Sequence, residues 1–209
     1  MVQENKARFL ELLKTVNRAG IDNLINYLEN KSDFFTSPAS AKYHLSIEGG
    51  LCQHCLNVYD NMCKLRELFK LDGITDESLI IVALLHDLGK VNFYEKTVRN
   101  EKVYDPAGTK YDNLGNYEWF AIESYKIKEP EDRFLGSGHA VNAILLASQF
   151  IPLRLSEQTA IINHHGALDP YVPPVKELGF IYGKYPLATL LHMADVGSTF
   201  FTENELLNE

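Results

Sequence analysis

The chain has 209 residues, 45% of them hydrophobic and 23% charged, enough for one well-buried core. A net charge of -8 and a pI near 5.4 exclude a broad basic footprint for duplex nucleic acid, leaving room only for a local basic pocket. The polar start Met1-Val2-Gln3-Glu4-Asn5-Lys6, no apolar run long enough for a bilayer, and only Cys52, Cys55 and Cys63 imply a cytoplasmic chain without disulfides or membrane.

Phe9, Leu12, Leu13 and Val16 recur at helical spacing, which predicts an amphipathic first helix ending near Gly20, and Ile21 to Glu29 reads as a short second one. Residues 32–50 carry breakers at Ser37-Pro38 and Gly49-Gly50 and read as loop. From Leu51, the stripe Leu51, Cys55, Val58, Met62, Leu65 and Phe69 predicts a long helix, with His54 beside its start. The run Leu79 to Leu85 is apolar on every face and belongs in the core. Thr75 suits its N-cap, Asp76 and Glu77 the positive end of its dipole, and Gly89 its stop.

Residues 91–137 are aromatic and polar, with turn signals at Asp105-Pro106-Ala107-Gly108 and Asn113-Leu114-Gly115-Asn116. Thr109-Lys110-Tyr111 and Tyr117-Glu118-Trp119-Phe120 predict the arms of a small hairpin. Helical spacing returns at Val141, Ile144, Leu145 and Ser148, preceded by His139. Ser156 is expected to cap a helix through Ile161-Ile162 that stops at Gly166. A loop broken by Pro170, Pro173 and Pro174 then leads to a last helix starting at Pro186, with Leu187, Leu190, Leu191, Ala194 and Asp195 on its inner face. The expectation is an all-α fold, one domain over 1–209, with a β-hairpin or irregular insertion at about 91–137.

The polar residues at the ends of those helices carry the chemistry. His86 and Asp87 leave a buried helix together and need a partner, because an unpaired buried charge costs several kcal/mol or shifts its pKa. A metal ion satisfies both; a His-Asp hydrogen bond at the helix end is the alternative. His54, His139, His164, His165 and Asp195 also stand at starts or ends of predicted helices. Histidine with carboxylate is the ligand set of zinc, manganese or iron, and so many histidines in one kind of place are hard to explain as packing.

The order His54, His86-Asp87, Asp195, with Gly89-Lys90 after the pair, resembles the HD superfamily of metal-dependent phosphohydrolases. That resemblance implies a helical HD-domain bundle, with His54, His86, Asp87 and Asp195 as metal ligands. His139 and the His164-His165 pair resemble the subgroups that hold two metals, among them the HD-GYP cyclic-dinucleotide phosphodiesterases, although no Gly-Tyr-Pro follows His164-His165. Gly49-Gly50-Leu51-Cys52-Gln53-His54, Gly138-His139, His164-His165-Gly166 and His192-Met193-Ala194-Asp195 look most like the HD domain of bacterial 3′–5′ exoribonucleases. The resemblance spans about residues 38–200, while residues 91–137 exceed the family connection and form a cover of the chain's own.

Such a ligand set permits metal-assisted attack of water on phosphorus, with Asp87 as the catalytic bridge between one or two divalent ions, manganese, iron, zinc or nickel rather than magnesium alone. Lys90 supplies a further positive charge to a phosphate, or is a solvated surface lysine. A general acid is not evident, with His44 and the paired histidines as candidates. Cys52 and Cys55 form a lone Cys-x-x-Cys with Cys55 on an apolar stripe, so packing outweighs zinc or redox chemistry. His192 reads as a residue supporting the ligands. Tyr94, Tyr104, Tyr111, Tyr117 and Trp119 either stack a base or pack on themselves. The expected function is hydrolysis of a phosphate ester in a small nucleotide or a single-stranded nucleic-acid end. The competing expectation is a non-catalytic, metal-stabilised HD module serving as sensor or scaffold; an oligomer is compatible with either. Because residues 91–137 leave after Lys90 and rejoin before His139, they are expected to border the site.

Overall fold

The computed structural model describes residues 2–133, 138–168 and 175–204. Within these lie eight α-helices: α1 Val2–Lys14, α2 Ile21–Asn30, α3 Gly50–Leu68, α4 Asp76–Leu85, α5 His139–Ala147, α6 Leu155–Ile162, α7 Val175–Lys184 and α8 Pro186–Gly197. A three-stranded sheet, β1 Tyr94–Tyr104, β2 Lys110–Asp112 and β3 Gly115–Ile127, lies between α4 and α5 in sequence. None of the described helices is long and apolar enough to cross a membrane.

Helix α4 is the axis of the bundle. Every residue from Ser78 to Leu85 is buried, and α3, α6 and α8 pack around it. Each fully buried Leu, Ile or Val there contributes about 1.5–3 kcal/mol relative to exposure. Thr75 caps the helix as expected, its hydroxyl accepting from the Ser78 N–H at 3.2 Å. Beside that start, the buried Glu157 of α6 receives a fork from Arg18, 2.6 Å on each arm, and the Ser78 hydroxyl at 2.7 Å. This network ties the segment after α1 to α4 and α6.

Several boundaries differ from the sequence expectations for local reasons. Helix α1 stops at Lys14, and Gly20 instead opens α2 at φ +88°, where a Cβ would meet the Phe150 carbonyl oxygen at 2.0 Å. Helix α6 starts at Leu155, before Ser156, with Arg154 at the N-cap and its N–H held by Glu157 at 2.8 Å. Helix α7 was not expected: Gly179 and Gly183 mask the spacing of Leu178, Ile181 and Tyr182, which pack inward. Pro170, Pro173 and Pro174 lie outside the described residues.

The insertion is more β than a small hairpin. β2 pairs with β3 from Lys110↔Tyr117 to Asp112↔Gly115, but Trp119 and Phe120 pair with Lys102 and Glu101 of β1 instead. The β1–β3 ladder runs from Tyr94↔Ile127 to Tyr104↔Tyr117. Three of the five aromatics pack together, with Lys102 Nζ 4.1 Å over the Tyr117 ring, which meets Tyr104 and Trp119 edge-on, while Tyr111 is exposed and Tyr94 packs against Phe93.

Candidate metal centre

The centre forms where helix ends meet. His86 still has helical geometry at the end of α4, and Asp87 departs from it into the 3-10 turn Leu88–Lys90. His86 donates its Nδ1–H to the Ala83 carbonyl at 2.9 Å, and His164, beyond α6, donates its Nδ1–H to the Ile161 carbonyl at 2.6 Å. The last turn of a helix leaves carbonyls over, so each helix orients its own imidazole. The same bonds assign the Nδ1–H tautomer and leave the Nε2 lone pair facing inward.

Gly89 has a different task from the expected helix stop. A Cβ there would lie 1.9 Å from the His139 carbonyl oxygen and 2.8 Å from the Ala143 N, so its absence lets α5 close on the turn. That approach brings His139, the first residue of α5, to Asp87.

Asp87 divides its carboxylate between two groups of imidazoles. Oδ2 lies 3.6 Å from His86 Nε2 and 3.7 Å from His54 Nε2; Oδ1 lies 3.6 Å from His139 Nε2 and 3.7 Å from His164 Nε2. His54 and His86 bring their Nε2 atoms within 3.3 Å, His139 and His164 within 3.4 Å. Two sets, His54-His86-Asp87 and Asp87-His139-His164-His165, thus place donor atoms within 4.8 Å of one another. Asp87 Oδ1 is buried without a hydrogen-bond partner, an orphan of the kind that a cation satisfies. The donor set fits divalent transition metals.

Asp195 stands beside both sets, with Oδ1 3.1 Å from His54 Nε2 and Oδ2 4.0 Å from His165 Nε2. Burial lowers the pKa of His86, carries that of His164 well below the usual range and brings that of His139 to about 4, keeping all three neutral as ligation requires. For Asp87, burial works toward protonation, but Lys90 and the imidazoles outweigh it and hold the carboxyl ionised. For His54, burial opposes the charged form, yet hydrogen bonds to Asp195 and Glu203 raise the pKa to about 10 without a metal, so an ion held by Nε2 would take the place of the proton shared with Asp195.

Lys90 is not a solvated surface lysine. It is buried, donating to Asp87 Oδ2 at 2.7 Å and to the Ala39 carbonyl at 2.9 Å. His192 stands behind His164, its Nδ1–H donating to the His164 carbonyl at 2.6 Å while Tyr182 stacks on its ring. Gly166, at φ +55°, leaves room for the His192 ring and the Tyr182 hydroxyl, since a Cβ would meet each at 2.7 Å. Cys52 and Cys55 face the core, where burial pushes the Cys52 thiol up to about 12.

One acidic residue escaped sequence reasoning. Glu203 reaches His54 from beyond α8, and nothing around Phe200-Phe201-Thr202 signals it. His44, read as a loop residue, packs its ring 4.8 Å from that of His54. His44 and Glu203 help to line a cavity of about 540 Å³, together with Lys42, Tyr43, Phe200 and the ribbon residues Arg99, Glu123 and Ser124. The insertion therefore reaches the neighbourhood of the centre.

The family model of the HD domain matches residues 51–190, well over half of the sequence. The chain belongs to the HD domain family. HD domains are in general metal-dependent hydrolases and bind divalent metals, in keeping with the imidazole–carboxylate cluster. The match takes in six of the seven candidate ligands, from His54 through His165, and ends ahead of Asp195. No curated protein and no solved structure matches this HD domain chain.

Proposed function

We propose that this HD domain is a phosphohydrolase that uses two divalent ions to cleave a phosphate ester in a nucleotide or a single-stranded nucleic-acid end. The observation that carries the reading is the division of Asp87 between two sets of inward-facing Nε2 atoms. His54, His86, Asp87 and Asp195 would hold one ion, and Asp87, His139, His164 and His165 the second. When bound, the ions supply the charge that activates a water and neutralises phosphate oxygens. Mixed imidazole and carboxylate donors favour manganese, iron, zinc or nickel over magnesium alone.

The chain's own residues do the positioning. His86 and His164 are aimed by helix carbonyls, and His192 braces the His164 backbone. Lys90 adds a fixed positive charge where phosphate oxygens would gather. The cavity beside His44 has the size of a small-molecule site, with Lys42 and Arg99 for phosphate and Tyr43 and Phe200 for a base. The resemblance to exoribonuclease HD domains supports the single-stranded alternative within the same chemistry. Buried free thiols support a reducing, cytoplasmic setting.

The test is a panel of nucleotides, cyclic dinucleotides and short oligonucleotides, with added manganese, run on wild type and Asp87→Ala side by side. Turnover by wild type on some member, lost in the variant, is the expected result. Equal background rates throughout overturn the enzyme reading and leave a metal-stabilised binding module.

A further inference from the structure

We infer that Glu203 is a positioning residue of the candidate metal centre, holding His54 by its Nδ1–H so that Nε2 faces the ion. The inference rests on the reading of His54 as a metal ligand.

His54 differs from His86 and His164 in where it stands. It lies in the first turns of α3, where a helix leaves over N–H donors rather than carbonyl acceptors. An Nδ1–H at that end needs an acceptor from elsewhere in the fold. Glu203 provides one, with Oε1 and Oε2 at 3.0 and 3.1 Å from Nδ1, and both side chains are only 1% exposed.

The surroundings fix that carboxylate. Asn57, three residues along α3 from His54, donates to Glu203 Oε1 at 2.8 Å. Helix α8 runs on into a π-helical turn, Ser198–Thr202, closed by the Glu203 N–H donating to the Ser198 carbonyl at 2.9 Å. Asn61, a further turn along α3, donates to the hydroxyls of Ser198 and Thr202 at 2.9 and 3.2 Å. A π turn is rare and recurs at functional sites. Here it returns the chain to α3, so that one continuous segment contacts both nitrogens of His54: Asp195 at Nε2 and Glu203 at Nδ1. A carboxylate on the far nitrogen of a ligating imidazole fixes its tautomer and raises its basicity.

A rival use of the same atoms is an additional cation held by His44, His54 and Glu203, whose donor atoms also cluster. His44 Nε2 lies 4.0 Å from Glu203 Oε2, and both its ring nitrogens are buried without hydrogen-bond partners. That use requires Nδ1 of His54 as a ligand and leaves no proton there for Glu203.

The experiment measures manganese binding to chelator-stripped protein by competition with a chromogenic chelator, in wild type, Glu203→Ala, Glu203→Gln and His44→Ala. Glu203→Ala is expected to weaken one of two ions by about 10–100-fold and to leave the other unchanged. Glu203→Gln should recover part of that loss, because its amide oxygen can accept the Nδ1–H. His44→Ala should keep both ions. In ¹⁵N-edited spectra of the zinc-loaded protein, the His54 Nδ1–H signal should persist in wild type and exchange away in Glu203→Ala. Unchanged affinity in Glu203→Ala with wild type binding two ions overturns this inference alone. Loss of an ion in His44→Ala also overturns it, in favour of the additional cation. Wild type that binds no ion removes this inference and the metal-dependent function together.

Discussion

The carbonyl oxygen of His139 occupies the space where a side chain on Gly89 would begin, 1.9 Å from an ideal Cβ. The clash is with backbone, so no rotamer change relieves it. Gly89→Ala is expected to push α5 away from the turn and cost about 1–3 kcal/mol by overpacking. Metal analysis should find the ion near His139 weakened and the ion near His54 retained. Two ions bound at wild-type affinity would separate the glycine from the site.

Asp87→Ala should have a broader effect, because the carboxylate faces both imidazole sets. It should bind little metal and lose activity by orders of magnitude. His139→Ala should lose one ion and keep the other. Elemental analysis of both variants beside wild type distinguishes these patterns, and loss of both ions in His139→Ala would contradict separable sites.

Arg18 and Glu157 predict a pH dependence of stability unrelated to metal. Burial raises the Glu157 pKa, but the fork from Arg18 and the Ser78 hydroxyl bring it below its ordinary 4.5. A depressed carboxylate stabilises the fold above its unfolded pKa and stops doing so as pH falls through the folded value. Glu157→Gln should therefore be less stable than wild type at pH 7, with the gap closing below pH 4.5. Arg18→Ala, which leaves a buried carboxylate unpaired, should cost about 3–5 kcal/mol. Urea unfolding across pH on metal-free protein checks both, and a gap that widens in acid would refute the assignment.

The ribbon can be shortened in register. Val98 faces Glu123 across the ladder, so replacing residues 99–122 by Asn-Gly should close a two-residue hairpin. Metal content and fold should survive, because the ribbon carries none of the candidate ligands, while relative rates across the nucleotide panel should change with the loss of Arg99 from the cavity. Unfolding of the shortened protein would instead make the ribbon a packing element.

What was legible in the sequence follows the range of the forces involved. Apolar spacing is local, and it placed α3, α4 and α8 with their inward faces and the histidines at their ends. β1 was not legible because Tyr94 to Tyr104 mixes five charges into the strand and shows no clean apolar face. The burial of Lys90 depends on Ala39 and Asp87 converging on it, which no spacing reveals. Glu203 meets His54 across 149 positions, a pairing that only the folded chain creates.

Two of the inward-facing imidazoles are held by main-chain carbonyls, and one is held by a side chain. A carbonyl cannot be exchanged by a codon change, so substitutions at Ala83 or Ile161 alter packing while the grip on His86 and His164 persists. The grip on His54 is encoded in a replaceable residue. Selection for a different metal, or for looser or tighter retention of the same one, thus has one ready point of adjustment in this scaffold. Descendants that diverge in metal preference should differ at position 203 while positions 83 and 161 drift among apolar residues.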